Sequence, residues 1–141
     1  DARVAIDRLA MRVVLGNLLE NAARYSPPGS VIRLRLHRDL RSCRLDVIDN
    51  GDGIPKKDLK NVFKMFWRGS EGLAARVPGT GLGLYIVRNI VKDHHGKVWV
   101  SSPGPGRGSV FSVRLPRALK YWSLPIRKRH SPRTETKAQV S

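Results

Sequence analysis

The run Gly79-Thr80-Gly81-Leu82-Gly83-Leu84 leads straight into the apolar stretch Tyr85-Ile86-Val87-Arg88-Asn89-Ile90-Val91. Glycines at alternate positions remove the Cβ atoms that would hold an anion away from the backbone. The first amides of a helix are unpaired donors in a positive dipole field. The junction therefore reads as a phosphate cradle at a helix start. It lacks the Lys-Ser/Thr of a P-loop, and its spacing is not the G-x-G-x-x-G of a dinucleotide fold. Gly104-x-Gly106-x-Gly108 has the same spacing but precedes a strand, so it reads as a flexible hairpin turn.

Periodicity supplies the rest of the frame. Met11, Val14, Leu15, Leu18, Leu19 and Ala22 recur at helical spacing, with Asn17, Glu20, Asn21 and Arg24 on the other side of the wheel. Ser26-Pro27-Pro28-Gly29 ends that helix. Between Val31 and His37, Ile32, Leu34 and Leu36 alternate with Arg33 and Arg35, which predicts a half-buried strand. Arg44 to Ile48 reads as its antiparallel neighbour. From Asp52 to Pro78 the periodicity fades, apart from a short helix expected around Asp58 to Phe66. Loops of this length are usually lids, binding segments or disorder. A helix from Thr80 to about His94 follows, with Gly96 as its C-terminal cap. Lys97 to Ser101 and Ser109 to Leu115 form a closing hairpin. The order of helix, two strands, lid, helix and two strands predicts an α/β sandwich with one sheet face covered by helices. Residues 1–118 are expected to form the domain, and 119–141 a basic tail whose stretch from 125 onward reads as disordered.

Three segments bear chemistry, each with a plainer reading beside it. Asn17 and Asn21 lie one helical turn apart, so their amides can meet one ligand, and neutral oxygen donors suit a magnesium ion already held by phosphates. A solvated polar face explains them equally well. On the same stripe Arg24 suits a phosphate and Tyr25 a base, although each alone reads as a surface residue. Asp49-Asn50-Gly51-Asp52-Gly53-Ile54-Pro55 directly follows a strand. A carboxylate there can accept from an exocyclic amino group while the glycines let a flat ring lie on the backbone. Taken alone, the segment favours an ordinary turn. Phe63, Phe66 and Trp67, with Arg68, either anchor a lid over a nucleotide or form the buried face of a short helix.

Composition narrows the partners. The formal net charge is +16 over 141 residues. Residues 1–120 carry 22 basic and 10 acidic side chains, net +12, and 121–141 carry five and one, net +4. The excess is diffuse and lacks the aromatic interleaving of a single-strand platform, so nucleic acid is disfavoured as a partner. A single cysteine, Cys43, rules out an intramolecular disulfide and fits a reducing compartment such as the cytoplasm. No apolar run approaches the roughly 20 residues of a membrane span. The chain begins at Asp1 without methionine and is expected to be part of something longer, with any membrane attachment outside it.

Together and in this order, these segments resemble the ATP-binding domain of two-component sensor histidine kinases, within the superfamily that includes gyrase, the MutL mismatch-repair ATPases and a heat-shock chaperone. Asn17 to Ser26 is similar to the family's N box, Asp49 to Ile54 to its G1 box, Val62 to Arg68 to its F box, and Gly79 to Leu84 to its G2 box. Gly106 to Pro116 is similar to the terminal strand. The resemblance, over roughly residues 5–116, implies the Bergerat ATP-binding fold: a two-layer α/β sandwich with a mixed, mostly antiparallel sheet, helices on one face and a long ATP lid.

It also implies roles. Asn21 would coordinate Mg2+, Asn17 would lie near the phosphates, and Arg24 would meet phosphate. Tyr25 would cover the adenine, and Asp49 would accept from its amino group in a pocket shaped by Gly51, Gly53 and Ile54. Phe66 and Arg68 would act from the lid, the backbone of Gly79, Thr80, Gly81, Leu82, Gly83 and Leu84 would cradle phosphate, and Ser109 would contribute at the adenine end. Where the hydrolytic relatives carry a glutamate that activates water, Asn17 stands here. An amide is no general base near neutral pH, so the γ-phosphate would be kept for another acceptor. Glu20, one position from Asn21, is the reservation.

The acceptor implied is a histidine on a separate dimerisation domain, with a response regulator downstream. His37, His94, His95 and His130 are followed by Arg, His, Gly and Ser, not by the acidic residue typical of that site. Two other readings remain. One is an anti-sigma-type serine kinase or binding module of the same fold. The other is a basic nucleic-acid-binding module, which the charge alone favours.

Overall fold

The structure, a computed structural model, describes residues 4, 6–69 and 78–117. The tail expected over 119–141 and the middle of the expected lid, 70–77, lie outside the described residues. Helix α1 spans Arg8–Arg24, and the side chain of Asp7 caps it by accepting from the Ala10 amide at 2.7 Å. Such a cap satisfies one of the unpaired donors of the first turn. Val14, Leu18 and Ala22 are buried along its inner side.

Strands β1 (Arg33–Arg38), β2 (Ser42–Asp49), β3 (Lys97–Ser101) and β4 (Ser109–Pro116) form one sheet in the order β1-β2-β4-β3, with every ladder antiparallel. Helix α2 spans Gly83–Asp93 and buries Val87 and Val91. These residues close a core against Val47 of β2 and Phe111, Val113 and Leu115 of β4. Both helices thus lie on one sheet face, as the element order predicts. Each of these side chains contributes about 1.5–3 kcal/mol by leaving water.

Four local expectations are corrected. Leu34 and Leu36 are 53% and 66% exposed, although their partners in β2, Val47 and Leu45, share their face. β1 is an edge strand, and the helices cover β2, β4 and β3 but stop short of it. Between Asp58 and Phe66 the backbone forms a series of turns rather than a helix. Asp58, Asn61, Lys64 and Trp67 each donate to the carbonyl three residues back, at 2.8–3.2 Å. Val62 and Phe63 from this segment join the core, with the Phe63 ring edge-on to Phe111 at 6.2 Å.

Helix α2 begins at Gly83 rather than Thr80, because Gly81 has φ +70° and a left-handed residue cannot continue a right-handed helix. At its other end the left-handed residue is His95 (φ 56°), not Gly96. His95 N–H donates to Lys92 O and Gly96 N–H to Val91 O, the paired bonds of a Schellman motif. Gly96 is needed for a different reason: a Cβ there would come within 2.7 Å of the Arg114 carbonyl and 2.8 Å of Leu115.

Candidate nucleotide-binding site

The functional segments converge where the loop after β2 meets α1, the start of α2 and the β3–β4 turn. Between them lies a cavity of about 820 Å³, within the range of small-molecule sites. At its floor the Asp49 side chain, at the end of β2, is buried. Its Oδ1 accepts from the amides of Gly51 at 2.9 Å and Ser109 at 3.1 Å, and its Oδ2 accepts from the Ser109 hydroxyl. Three donors hold the carboxylate in place, with lone-pair capacity left on Oδ2 for a ligand donor.

The glycines of this loop are required by close approach. A Cβ on Gly51 would come within 2.2 Å of the Tyr25 carbonyl, which accepts from the Asp52 amide at 3.0 Å. Gly53, with φ +66°, lies so near the Gly104 carbonyl that a Cβ would meet it at 2.0 Å. The turn 104–108 is therefore more than the flexible connection expected of it. Gly106 N–H donates to Asp52 O, Gly108 N–H donates to Gly51 O, and Pro105 and Gly106 line the cavity. Sequence spacing gives no hint of this, because the contact joins segments about fifty residues apart.

From α1, Asn17, Asn21 and Arg24 all face the cavity, as does Tyr25 just beyond the helix. Asn17 donates to Val13 O at 2.8 Å, and its Oδ1 lies where a Cβ on Gly83 would meet it at 2.6 Å. The amide therefore packs on the first turn of α2, where its oxygen adjoins the unpaired amides. Arg24 reaches across to the residue preceding the glycine run: its guanidinium donates to Pro78 O at 2.7 Å and also pairs with Glu20. Glu20 is mostly exposed but lines the cavity rim.

Gly79, Thr80, Gly81, Gly83 and Leu84 line the cavity together with Ile54, Arg68 and Ser109. Three of the predicted residues do not. Gly51 lies beneath the floor, and Leu82 caps α2 without a side-chain bond. Phe66 is 67% exposed, and it acts through its backbone, which adopts φ 59° and donates to Gly81 O at 3.0 Å. Trp67 takes the place at the cavity that was expected of Phe66. Asp52, Asp58, Val62 and Phe111 also line it. Asp58 is buried, and Asp52 Oδ2 is buried with no hydrogen-bond partner among the described residues.

The donor set fits a magnesium nucleotide. The Asn17 and Asn21 oxygens that α1 offers are neutral amides, the Glu20 carboxylate of the same helix is paired with Arg24, and the described residues hold no group of three or more His, Cys, Asp and Glu side chains suited to a metal. Such a site suits Mg2+ that brings its own phosphate oxygens. The orphaned Asp52 oxygen can accept from a ligand or water donor.

Fold and site together define a nucleotide-binding domain of the α/β sandwich type with a glycine cradle at a helix start. The sequence profile of the histidine kinase-, DNA gyrase B- and HSP90-like ATPases matches residues 6–119, and the chain belongs to that family, among the catalytic domains of sensor histidine kinases. The sensor-like histidine kinase SenX3 of Mycobacterium tuberculosis is 36% identical over 118 residues, which are 84% of this chain and 28% of that protein. The adaptive-response sensory kinase SasA of Synechococcus elongatus is 40% identical over 111 residues, 78% of this chain and 27% of that protein. Among solved structures, the mycobacterial sensor histidine kinase MprB superposes with a TM-score of 0.70 at 34% identity, covering 79% of this chain and 72% of that one. The chain spans little more than a quarter of these two sequence relatives' length. None of the described helices is long and apolar enough to cross a membrane.

Proposed function

We propose that the domain binds Mg-ATP in this cavity and donates the γ-phosphate to a histidine on a separate dimerisation domain, in two-component signal transduction with a response regulator downstream. The observation that carries the reading is the convergence on one cavity of a braced carboxylate, Asp49, a pair of amides, Asn17 and Asn21, and a glycine run at a helix start. In this reading Asp49 accepts from the adenine amino group, with Tyr25 and Ile54 against the ring. The amides around Gly81 to Leu84 receive the phosphates, and Arg24 neutralises charge on them. Asn21, with Asn17 beside it, would hold the magnesium ion, which would neutralise charge on the nucleotide's phosphates.

Slow spontaneous hydrolysis follows from the same residues. Asn17 offers water no base, and the Glu20 carboxylate is engaged by the Arg24 guanidinium rather than turned to a water at the phosphates. The γ-phosphate is thereby conserved for an incoming imidazole. Residues 1–118 are taken as the domain and 119–141 as a basic tail, working in the cytoplasm where ATP is supplied.

The test is twofold. Calorimetric titration should show Mg-ATP binding that is weakened by about tenfold or more in Asp49→Asn. Labelled ATP should transfer phosphate to a supplied histidine-bearing dimerisation domain and not to this chain. Stable acid-labile labelling of the chain itself, or transfer to serine, would overturn the reading.

A further inference from the structure

The sheet face turned away from the helices carries a feature that nucleotide binding does not use. Residues directly opposite in antiparallel ladders share a face, so the register sets Lys97, Arg114, Arg44 and His37 side by side in one row across all four strands. Two and four residues further along β1, Arg35 and Arg33 continue the charge on that same face. The one acid among them is Asp46. It is buried, 2.9 Å from His37 Nε2 and 3.3 Å from Arg44 Nε. Arg33, Arg35, Lys97 and Arg114 are exposed and have no ion-pair partner among the described residues.

Like charges placed directly across a ladder destabilise a sheet. A row of Lys, Arg and Arg on adjacent strands carries that cost with a single carboxylate as relief. An external anionic surface removes it. Three inter-strand steps of about 5 Å make the row roughly 15 Å long, and the cavity is lined by residues of the opposite face, Asp49, Ser109 and Phe111. A partner on the basic face therefore leaves the nucleotide site open.

We propose that this face docks on an anionic lipid bilayer. The cations are spread over an open sheet rather than lining a cleft that would grip a duplex, and Trp99 is the one aromatic residue of the face, too few to stack successive bases. Laterally mobile headgroups can collect under cations at fixed positions, each adding to the attraction.

The experiment is co-sedimentation of the full chain with vesicles of phosphatidylcholine alone and of phosphatidylcholine mixed with phosphatidylglycerol. Binding is expected to the mixed vesicles only, and to weaken as salt is raised. The triple substitution Arg33→Gln, Arg35→Gln and Arg114→Gln should weaken it by about fivefold per cation, on the order of a hundredfold in all. Its circular dichroism and Mg-ATP affinity should stay unchanged, since none of the three touches the cavity. Neutralising Arg127, Lys128 and Arg129 instead should leave most of the binding in place. Undiminished vesicle binding by the folded triple variant overturns the proposal. So does loss of binding in the tail variant alone, or retention on duplex DNA at a salt concentration that releases the vesicles.

Discussion

Ser109 grips the Asp49 carboxylate twice, through its amide on Oδ1 and its hydroxyl on Oδ2, from sixty positions away in the chain. The two residues are also register partners at the end of the β2–β4 ladder, so the sheet itself sets the aim of the carboxylate. Ser109→Ala keeps the amide bond and removes the hydroxyl. It should lower stability by about 1 kcal/mol and weaken ATP binding several-fold. Asp49→Asn can keep an oxygen for the Gly51 and Ser109 amides but puts an NH2 donor in place of Oδ2, where the ligand's amino group needs an acceptor, and binding should fall by ~10–100-fold. Calorimetry and a thermal melt on both variants check the pair. An ATP affinity for Asp49→Asn equal to that of the parent chain would remove Asp49 from the base pocket.

The two central glycines of the cradle fail differently when given a methyl group. Gly81→Ala forces a left-handed φ on alanine and meets the Phe66 backbone at 2.7 Å, so it should cost about 1–2 kcal/mol of stability as well as nucleotide affinity. Gly83→Ala is compatible with a helix but meets Asn17 Oδ1 at 2.6 Å. Its effect should fall on ATP binding, with a melting temperature close to that of the parent chain. Normal affinity in Gly83→Ala would show that Asn17 can move aside without consequence.

Arg24 joins α1 to the glycine run through Pro78 O. Arg24→Ala should reduce both ATP affinity and the rate of phosphotransfer. Arg24→Lys should recover little, because a point ammonium cannot serve Glu20 and the Pro78 carbonyl with the forked geometry of a guanidinium. Single-turnover transfer to a dimerisation domain measures this, and full rescue by lysine would reduce the role of Arg24 to charge alone.

Glycines outside the cradle should separate by sign. Gly16 lies in α1 with nothing within 4 Å of where a Cβ would sit, so Gly16→Ala should stabilise by up to about 1 kcal/mol. Gly108→Ala meets Asp49 O at 2.1 Å with φ +67° and should cost on the order of 3 kcal/mol or more. Chemical denaturation of the two variants against the parent chain tests the contrast.

Most of the frame was legible locally. The 3.6-residue period of Val14, Leu18 and Ala22, the alternation in the strands and the order of elements all report short-range geometry, and they yielded helices on one face of a sheet. The four ordered boxes likewise yielded the family and most residues at the cavity. What failed were inferences that depend on neighbours distant in sequence. Leu34 and Leu36 alternate as buried residues should, yet no helix reaches the edge strand. Phe66 looks like a pocket ring, yet its backbone is tied to Gly81 and Trp67 lines the cavity instead.

By itself the sequence determined which segments become helix and strand and which residue types stand ready for a nucleotide, because both depend on spacing along the chain. Only the tertiary structure decided that the 104–108 turn closes on the Asp49 loop, that Ser109 aims Asp49, and that scattered arginines share one sheet face. Those relationships arise from strand register, and register is set by the packing of the whole sheet rather than by any one strand.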